Sequence, residues 1–431
     1  MQENITVPSM QRLVGTIDIP GDKSISHRSI MLSSLADTPV VIKNFLYAQD
    51  CLSTISCMST LGVKIEQDND HQLHIQGNGL YGLTEPETVL DAGNSGTTLR
   101  LLTGILAGQP FFTILTGDAS LSRRPMGRVI TPLTKMGCRL TGRQQSRYLP
   151  LAIMPGDQIA GIEYNMPMAS AQVKSAIMLA TLFANSPSTI TEPQLSRDHT
   201  ERMLEMFGVQ VTRKEHQVTV YPVQSLTAPT VIEIPGDISS AAFWLVAATI
   251  IPGSNVTLKN VGINPTRTGI LDVLWKMGAN IVITNERLSG KEPIADITVT
   301  SSTLQGVTIE SEIIPRLIDE IPILAVAALF AKGRTIISGA EELRVKETDR
   351  LKAIAVELGK MGAQIQEMAD GLTIEGPQSL HFASCHSQDD HRMAMAVAVA
   401  GAAAAGVDIS QHECVNISYP DFFTELNRLI L

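Results

Sequence analysis

The sequence predicts an α/β protein of two domains, each built from three similar units, and three observations lead to this prediction. The chain has 431 residues, more than one hydrophobic core usually organises. Apolar stretches with helical periodicity, each ending in a glycine, recur along its length. A Pro-Gly-Asp turn occurs twice, at 20–22 and at 235–237, and each copy leads from a strand-like stretch into a helix of small and apolar residues.

The recurring glycines mark the ends of one set of helices. Each follows a helix-like stretch that ends in Met, Leu or Phe, and each precedes a strand-like stretch. A glycine at such a place predicts a helix end, because it adopts the left-handed conformation at little cost. Successive copies lie about 70 to 84 residues apart. They are Gly62, Gly137, Gly208, Gly278 and Gly362.

A second set of helices is interleaved with the first. Each begins after a strand-like stretch and a polar or glycine-rich turn, and each is rich in Ala and Leu. One unit therefore reads strand, helix, strand, helix and two further strands. The turns begin near Pro20, Asp91, Asn165, Pro235, Pro315 and Gln388.

The two termini are expected to complete one unit together. The last unit stops after its second helix, while residues 3–19 supply strand-like pieces without a helix. We therefore expect one domain at 19–235 and a discontinuous one formed by 1–18 and 236–431. Tandem β-α-β units in an ordinary doubly wound sheet are the alternative, but they do not explain the regular spacing.

Composition limits the possible classes of function. Five scattered cysteines without a Cys-x-x-Cys pair favour reduced thiols in the cytoplasm over disulfides or a zinc site. We find no signal peptide, and the longest apolar runs, 321–331 and 393–406, are too short to span a bilayer. A net charge of −10 argues against a nucleic-acid partner.

The turns before the Ala/Leu-rich helices differ in chemistry. Backbone N–H groups at helix starts point outward and suit anions. The first turn carries Lys23, His27 and Arg28, and the second, 91–98, is rich in glycine and hydroxyls. The fourth carries no basic residue. Basic residues also begin the other helices, namely Arg123, Arg124, Arg197, Arg267, Lys346 and Arg350.

These basic residues point to an anion-binding site. A single Lys or Arg is usually a solvated surface residue, and the stretch GNSGTT alone is a weak signal. Here, however, basic residues stand at equivalent places in several units of an acidic protein, so they should converge. Lys346 and Arg350 are four apart and share a helical face, with Glu347 beside them.

Seven stretches occur in this order: GDKSISHRS, GNSGTTLRLL, RRPMGR, SAQVKSA, IDEIPILAVAA, RVKETDRL and DHRMAMA. Together, from about Val14 to Phe423, they resemble the 5-enolpyruvylshikimate-3-phosphate (EPSP) synthase family. The resemblance implies the two-domain enolpyruvyl transferase fold, an inside-out α/β barrel with three β-α-β-α-β-β units in each domain. Four stretches resemble the class II branch: 21–24, 170–174, 197–201 and 264–267. A lysine of class I members is absent, since 416–418 are Asn-Ile-Ser.

The resemblance implies transfer of the enolpyruvyl group of phosphoenolpyruvate to the 5-hydroxyl of 3-phosphoshikimate, with release of phosphate, in aromatic amino-acid biosynthesis. It implies no cofactor or metal, no membrane or nucleic-acid partner, and a cytoplasmic monomer. The family's phosphoenolpyruvate site accepts glyphosate. Because Gly96 is retained in class II-like surroundings, we expect intermediate sensitivity.

Site residues follow from the matching positions. Asp319 would handle the proton of the 5-hydroxyl, Glu347 the proton of the methylene carbon, and Lys23 would assist. Arginine pairs bidentately with phosphate and carboxylate, which both substrates carry. The implied contacts of 3-phosphoshikimate are Lys23, Ser24, Arg28, Ser170, Gln172, Arg197, Asp319 and Lys346. Those of phosphoenolpyruvate are Lys23, Gly96, Arg124, Gln172, Arg350 and Arg392.

Two other functions are alternatives. UDP-N-acetylglucosamine enolpyruvyl transferase shares the fold and the donor, but that family carries a reactive cysteine on the loop before its Arg-Pro. Here the loop reads GDASLSRRP and has none. A catalytically inactive repeat protein that binds an anionic metabolite is the second, and the acids Asp319 and Glu347 beside the cations argue against it.

Overall fold

The computed structural model describes residues 4–156 and 158–429. It separates into two units. Unit 1 runs to Pro20, resumes for Pro235–Leu288 and continues from Pro293. Unit 2 comprises Gly21–Ile234 and the four residues Ser289–Glu292. The chain thus passes between units at each Pro-Gly-Asp turn, and again around the tip of a β-hairpin.

Strands and helices alternate along the described chain. The strands are β1 (Ile5–Val7), β2 (Val14–Asp18), β3 (Pro39–Lys43), β4 (Lys64–Gln67), β5 (Leu73–Gln76), β6 (Leu90–Asp91), β7 (Thr113–Thr116), β8 (Arg139–Gly142), β9 (Tyr148–Met154), β10 (Glu163–Asn165), β11 (Ser188–Thr191), β12 (Val211–Lys214), β13 (Gln217–Val220), β14 (Val231–Glu233), β15 (Asn255–Gly262), β16 (Asn280–Ser289), β17 (Glu292–Thr300), β18 (Thr308–Ile309), β19 (Gly333–Ile337), β20 (Ile365–Glu367), β21 (Leu372–Gly376), β22 (Ser384–His386) and β23 (Val407–Ser410). The helices are α1 (Lys23–Ser34), α2 (Gln49–Thr60), α3 (Gly96–Leu106), α4 (Gly127–Lys135), α5 (Arg143–Ser146), α6 (Ala171–Thr181), α7 (His199–Met206), α8 (Ile238–Ile250), α9 (Gly269–Lys276), α10 (Ile321–Phe330), α11 (Arg350–Lys360), α12 (His391–Ala402) and α13 (Phe422–Arg428). Short 3-10 helices cover Leu121–Arg123, Ile314–Arg316, Ile318–Glu320, Glu341–Val345 and His412–Ile417.

Each repeated unit contributes one small mixed sheet. In 4–156 and 158–429 these are five sheets of four strands and one of three. In the sheet β6-β7-β9-β8, for example, β6 is parallel to β7, while β9 is antiparallel to both β7 and β8. The three-stranded sheet joins β1 to β23, with Ile5 opposite Ile409. The two termini therefore complete one of the six small repeats together, as predicted.

The two Pro-Gly-Asp turns exchange the first strands of two repeats. β2 precedes α1, yet it pairs in parallel with β15 of unit 1. β14 precedes α8, yet it pairs in parallel with β3 of unit 2. After each turn the aspartate caps the next helix, since Asp22 accepts from Ile25 N and Asp237 from Ser239 N. The duplicated motif is therefore a helix start at a crossover.

The Ala/Leu-rich helices form the centre of each unit. In unit 2 these are α1, α3 and α6, and in unit 1 α8, α10 and α12; each is buried over most of its length. Helices α3 and α6 approach closely at Gly104, where a Cβ would lie 2.3 Å from the backbone oxygen of Ala176. Each unit has its own hydrophobic core around these helices. The predicted α/β repeat fold is confirmed.

No helix within residues 4–156 and 158–429 is both long and apolar enough to cross a membrane.

Candidate functional site

Lys23, the first residue of α1, is held by a carboxylate that sequence analysis did not identify. Its Nζ lies 3.0 Å from Oδ2 of Asp50, in the first turn of α2. The side chains are 18% and 11% exposed, so the pair is largely shielded from water. An acidic residue in a first helical turn normally complements the helix dipole, and only the fold brings Asp50 to Lys23.

Arg28 lies one turn further along α1 and is surrounded by hydroxyl groups. Its Nε donates to Thr200 Oγ1 at 2.7 Å and its Nη2 to Ser175 Oγ at 2.9 Å, while Nη1 donates to the backbone oxygen of Ser24 at 2.8 Å. Burial lowers the pKa of Arg28 to about 10; nearby carboxylates oppose this fall, and the positive charge of Arg197 adds to it. Arg28 therefore remains charged at neutral pH, with Arg197 near enough to repel it, which favours binding of an anion.

His27 belongs to a buried chain of hydrogen bonds rather than to the charged surface. Its Nδ1 lies 2.7 Å from Thr54 Oγ1, which lies 2.6 Å from Thr98 Oγ1, and Thr98 bonds to Ser95 Oγ at 2.8 Å. Burial and the neighbouring cations hold the pKa of His27 well below its usual range. The ring is therefore neutral, and the chain fixes the starts of α1 and α3 relative to each other through α2.

The start of α3 is flanked by two guanidinium groups. A Cβ at Gly96 would lie 2.7 Å from Nη1 of Arg100 and 3.6 Å from Nη1 of Arg124. Arg124 also donates from Nη2 to Asn94 Oδ1 at 2.9 Å. Ser95 caps this helix, accepting from Thr98 N at 3.1 Å. The backbone at Gly96 is thus bordered by positive charge.

Arg100 is a cation that sequence analysis did not assign to the site. Its Nη1 donates to Gln172 Oε1 at 2.5 Å, and Gln172 Nε2 donates to Thr97 Oγ1 at 3.2 Å. Gln172 lies at the start of α6, where Ser170 Oγ accepts from Val173 N at 3.4 Å. These bonds join the starts of α3 and α6. The spacing of four between Gly96 and Arg100, one helical turn, is the signal that could have found it.

Lys174 has a structural role. Its ammonium lies 2.7 Å from Glu192 Oε2 and 2.6 Å from Glu201 Oε1, and 1% of the residue is exposed. Although burial alone would lower it, the pKa of Lys174 is raised by the carboxylates of Glu201 and Glu192. These contacts join α6 to α7 through Glu201 and to the end of β11 through Glu192.

In unit 1, Arg350 is the centre of a cluster of carboxylates. Its Nε lies 2.7 Å from Asp390 Oδ2, its Nη2 2.7 Å from Glu347 Oε2, and its Nη1 3.3 Å from Asp319 Oδ1. Arg350 is 1% exposed. Burial disfavours its charge, but the three carboxylates, Asp390 first, raise the pKa of Arg350 above its usual value. The cluster brings both predicted acids to one cation.

Asp319 is also close to two further cations. Lys346 Nζ lies 3.8 Å from its Oδ1, and Arg392 Nη2 lies 3.9 Å from its Oδ2. Arg392 is the second residue of α12, which Asp390 caps by accepting from Arg392 N at 2.9 Å. Unit 1 thus brings Asp319, Lys346, Glu347, Arg350 and Arg392 together, and Asp390 is the member that sequence analysis did not assign.

Arg267 does not belong with the other basic helix starts. It is 2% exposed, and its Nη2 contacts Asp237 Oδ1 at 3.2 Å and Ser239 Oγ at 2.8 Å. It therefore supports the start of α8, whose preceding turn carries no cation. Within residues 4–156 and 158–429, no cluster of His, Cys, Asp and Glu side chains could hold a metal ion.

Comparisons with known proteins agree on one family. The family model described as EPSP synthase (3-phosphoshikimate 1-carboxyvinyltransferase) matches residues 7–426. A 3-phosphoshikimate 1-carboxyvinyltransferase of Desulforudis audaxviator (strain MP104C) is 55% identical over 420 residues, which cover 97% of each chain. One of Bacillus thuringiensis (strain Al Hakam) is 52% identical over 430 residues and covers 100% of both chains.

Solved structures give the same result. An EPSP synthase from Acinetobacter baumannii superposes with a TM-score of 0.89 at 42% identity, covering 100% of this chain and 99% of that one. The enolpyruvyl transferase NikO from Streptomyces tendae has a TM-score of 0.80 at 15% identity, covering 99% and 97% of the two chains. The second likeness supports the fold alone.

Proposed function

The chain belongs to the EPSP synthase family, and from this premise we propose how its residues share the reaction. The enzyme transfers the enolpyruvyl group of phosphoenolpyruvate to the 5-hydroxyl of 3-phosphoshikimate and releases phosphate, in the shikimate pathway to aromatic amino acids. What remains to be assigned is the part played by each side chain.

We assign 3-phosphoshikimate chiefly to unit 2. The observation that carries this assignment is the grouping of cations and hydroxyls at the starts of α1 and α6. Arg28 is charged but is held by neutral hydroxyls, so a phosphate group would complete its environment. The other proposed contacts lie at the starts of α1, α6 and α7, with Lys23 directly after the cap of α1. They are Ser24, Ser170, Gln172 and Arg197. From unit 1 we add Asp319 and Lys346.

We assign phosphoenolpyruvate to the guanidinium groups. In unit 2, Arg124 and Arg100 border the Gly96 backbone at the N-terminus of α3, where the helix dipole favours an anion. Lys23 and Gln172 complete this set. In unit 1 we add Arg350 and Arg392, both of which contact Asp319.

The acids have different proposed tasks. Asp319 accepts or positions the proton of the 5-hydroxyl while that oxygen attacks C2 of phosphoenolpyruvate. A proton is delivered to the methylene carbon in the addition and removed again as phosphate leaves, and we assign this proton to Glu347, with Lys23 assisting. Alignment of both substrates contributes up to about 7–11 kcal/mol to lowering the barrier. No step of this scheme uses a metal or a cofactor.

We further propose that the enzyme is a cytoplasmic monomer acting on small anions alone. Its five cysteines are scattered and include no Cys-x-x-Cys pair, which suits a reducing compartment, and its net charge of −10 disfavours nucleic acid. Sedimentation at micromolar concentration gives the oligomeric state. A mass of two chains would contradict the proposal.

The test of the assignments is turnover with defined substrates. Purified enzyme should release phosphate from phosphoenolpyruvate only when 3-phosphoshikimate is present. Arg28→Gln should raise KM for 3-phosphoshikimate more than that for phosphoenolpyruvate, and Arg124→Gln should do the reverse. Equal effects of the two changes on both constants would refute the division of the site.

A further inference from the structure

A strained turn precedes α12 in unit 1. It connects β22, which ends at His386, to Asp390, the cap of α12. Gln388 and Asp389 have φ values of 58° and 56°, so two consecutive residues other than glycine adopt the left-handed conformation. This conformation is unfavourable for residues with a Cβ, and it persists only where surrounding contacts hold it.

Glu357 supplies the principal contacts of this turn from outside it. The residue lies in α11 and is 0% exposed. Its Oε2 accepts from His386 N at 2.8 Å and contacts Lys360 Nζ at 2.7 Å, and its Oε1 accepts from Gln388 Nε2 at 2.7 Å. A buried carboxylate is favourable only when its oxygens are satisfied, and three donors satisfy this one.

Contacts inside the turn complete the arrangement. Gln388 N donates to Nδ1 of His386 at 2.8 Å, which requires that nitrogen to be unprotonated. Asp389 N donates to Ser387 Oγ at 3.2 Å, and Ser387 Oγ donates to the backbone oxygen of Gln411 at 2.8 Å. The main-chain N–H groups of the two left-handed residues thus have partners only while the turn keeps this shape.

The same helix holds both ends of the turn. Arg350 and Glu357 are seven residues apart, two helical turns, and therefore share one face of α11. Glu357 bonds to the beginning of the turn at His386 and Gln388, while Arg350 bonds to its end at Asp390 through Nε at 2.7 Å. When Glu357 fixes the beginning of the turn, Asp390 at the end of the turn lies within reach of Arg350.

We propose that Glu357 is a positioning residue for the phosphoenolpyruvate site. It holds the 386–390 turn in its left-handed form, so that Asp390 can bind Arg350 and cap the helix whose second residue is Arg392. The inference rests on the proposed role of these two arginines. Loss of Glu357 should release the turn, shift Asp390 and weaken binding of phosphoenolpyruvate, without a direct effect on 3-phosphoshikimate contacts in unit 2.

The experiment compares steady-state constants of Glu357 variants. E357A should raise KM for phosphoenolpyruvate at least about tenfold and that for 3-phosphoshikimate less than about twofold, relative to the parent enzyme. E357Q should stay within about threefold of the parent, because an amide can still accept from His386 N and bond to a rotated Gln388 amide. K352A, the matched control, removes an exposed lysine side chain from the same helix and should leave both constants unchanged.

Glycine substitution in the turn provides a rescue. In E357A combined with Q388G and D389G, the left-handed conformation no longer carries a penalty, so KM for phosphoenolpyruvate should return part of the way to the parent value. A general loss of stability would instead lower the melting temperature and the active fraction without changing this constant. Unchanged KM for phosphoenolpyruvate in folded E357A, or no recovery in the glycine variant, would overturn the inference.

The variant R392Q tests the assignment of Arg392 to phosphoenolpyruvate separately from the positioning role of Glu357. If R392Q raises KM for phosphoenolpyruvate and E357A does not, only the positioning role fails. If R392Q also leaves this constant unchanged, the assignment of Arg392 fails as well.

Discussion

Lys23 Nζ lies 3.0 Å from Oδ2 of Asp50, and this carboxylate fixes where the ammonium group can act. Within residues 4–156 and 158–429, Asp50 Oδ1 is buried without a hydrogen-bond partner, so Lys23 is the principal charge that compensates it. Each group therefore restrains the other. Lys23 is proposed to lie between the two substrates, where a displacement of about 1 Å is enough to impair catalysis.

Asp50→Asn should show whether the negative charge of Asp50 is needed to orient the ammonium group of Lys23. The amide keeps the size of the side chain but no longer attracts the ammonium group, so kcat should fall about tenfold or more while the fold is retained. The free energy of unfolding should fall by about 1–3 kcal/mol. Steady-state kinetics and urea unfolding measure the two effects. A parental kcat would show that Lys23 needs no partner.

The acid and base assignments predict large losses of turnover. Asp319→Ala and Glu347→Gln should each lower kcat at least about 100-fold, the usual scale of a positioned acid or base. Substrate dissociation constants should change far less. Glu341→Gln, an exposed change of the same chemical kind nearby, serves as the control and should be neutral. Near-normal turnover of either active-site variant would remove that residue from the mechanism.

The local parts of the site were predictable from sequence, whereas its long-range contacts were not. Helix starts at Lys23, Gly96 and Ala171 follow from turn residues and caps within a few positions. Asp50 and Arg100 were not predicted as site residues, because each contacts its partner only in the folded chain. The partners lie 27 and 72 residues away, respectively. The spacing of four places Arg100 beside Gly96, but nothing in either segment identifies Asp50 as the partner of Lys23 or Gln172 as the partner of Arg100.

The same distinction applies to the fold. The repeated units could be predicted, since each glycine cap and hydrophobic stretch acts locally. The bounds predicted from the two Pro-Gly-Asp turns separate β2 from α1 and β14 from α8. Patterning does not identify the sheets that these two strands join, because a strand stretch looks alike whichever sheet it joins. Likewise, the composition of Ser289–Glu292 does not indicate that these four residues belong to unit 2.

Buried thiols predict a loss of stability at alkaline pH. Burial, with the negative charge of Asp91, raises the pKa of Cys57 from 9.0 to about 12, and burial raises that of Cys138 to about 12. Between these values the unfolded chain loses thiol protons that the folded chain keeps. The stabilisation is therefore complete below pH 9 and declines as pH rises, by about 1.4 kcal/mol per pH unit for each thiol.

Urea unfolding from pH 7 to 10.5 measures this decline, and Cys57→Ala should reduce its slope above pH 9. Both proteins should show the same pH dependence between pH 7 and 8, which provides the internal control. No proposed step uses a thiolate, so kcat at pH 7 should be close to that of the parent. An unchanged alkaline slope would mean that Cys57 does not titrate differently in the two states.

Glyphosate should compete with phosphoenolpyruvate and inhibit with intermediate potency. It is an anion that carries a carboxylate and a phosphonate, so the same guanidinium groups can bind it. Gly96 presents no side chain against it, while the class II-like surroundings favour weaker inhibition than in class I members. Initial rates at several concentrations of phosphoenolpyruvate give the pattern. Non-competitive inhibition would place the inhibitor elsewhere.

Gly96→Ala should weaken phosphoenolpyruvate binding through Arg100. The added Cβ would lie 2.7 Å from Nη1 of Arg100, a contact closer than real methyl groups make. The flexible end of Arg100 must therefore move, and its 2.5 Å bond to Gln172 Oε1 is lost. A hydrogen bond to a charged group contributes about 1.5–3 kcal/mol, so KM for phosphoenolpyruvate should rise at least about tenfold.

A double-mutant cycle separates this route from direct obstruction by the methyl group. Arg100→Met removes the guanidinium that the new Cβ would meet, so Gly96→Ala added to Arg100→Met should cause little further increase in KM for phosphoenolpyruvate. Strong coupling between the two changes is therefore the expected outcome, since both act on one contact. Additive effects would show instead that the methyl group blocks the ligand itself, and Arg100 would then have no part in the sensitivity of position 96.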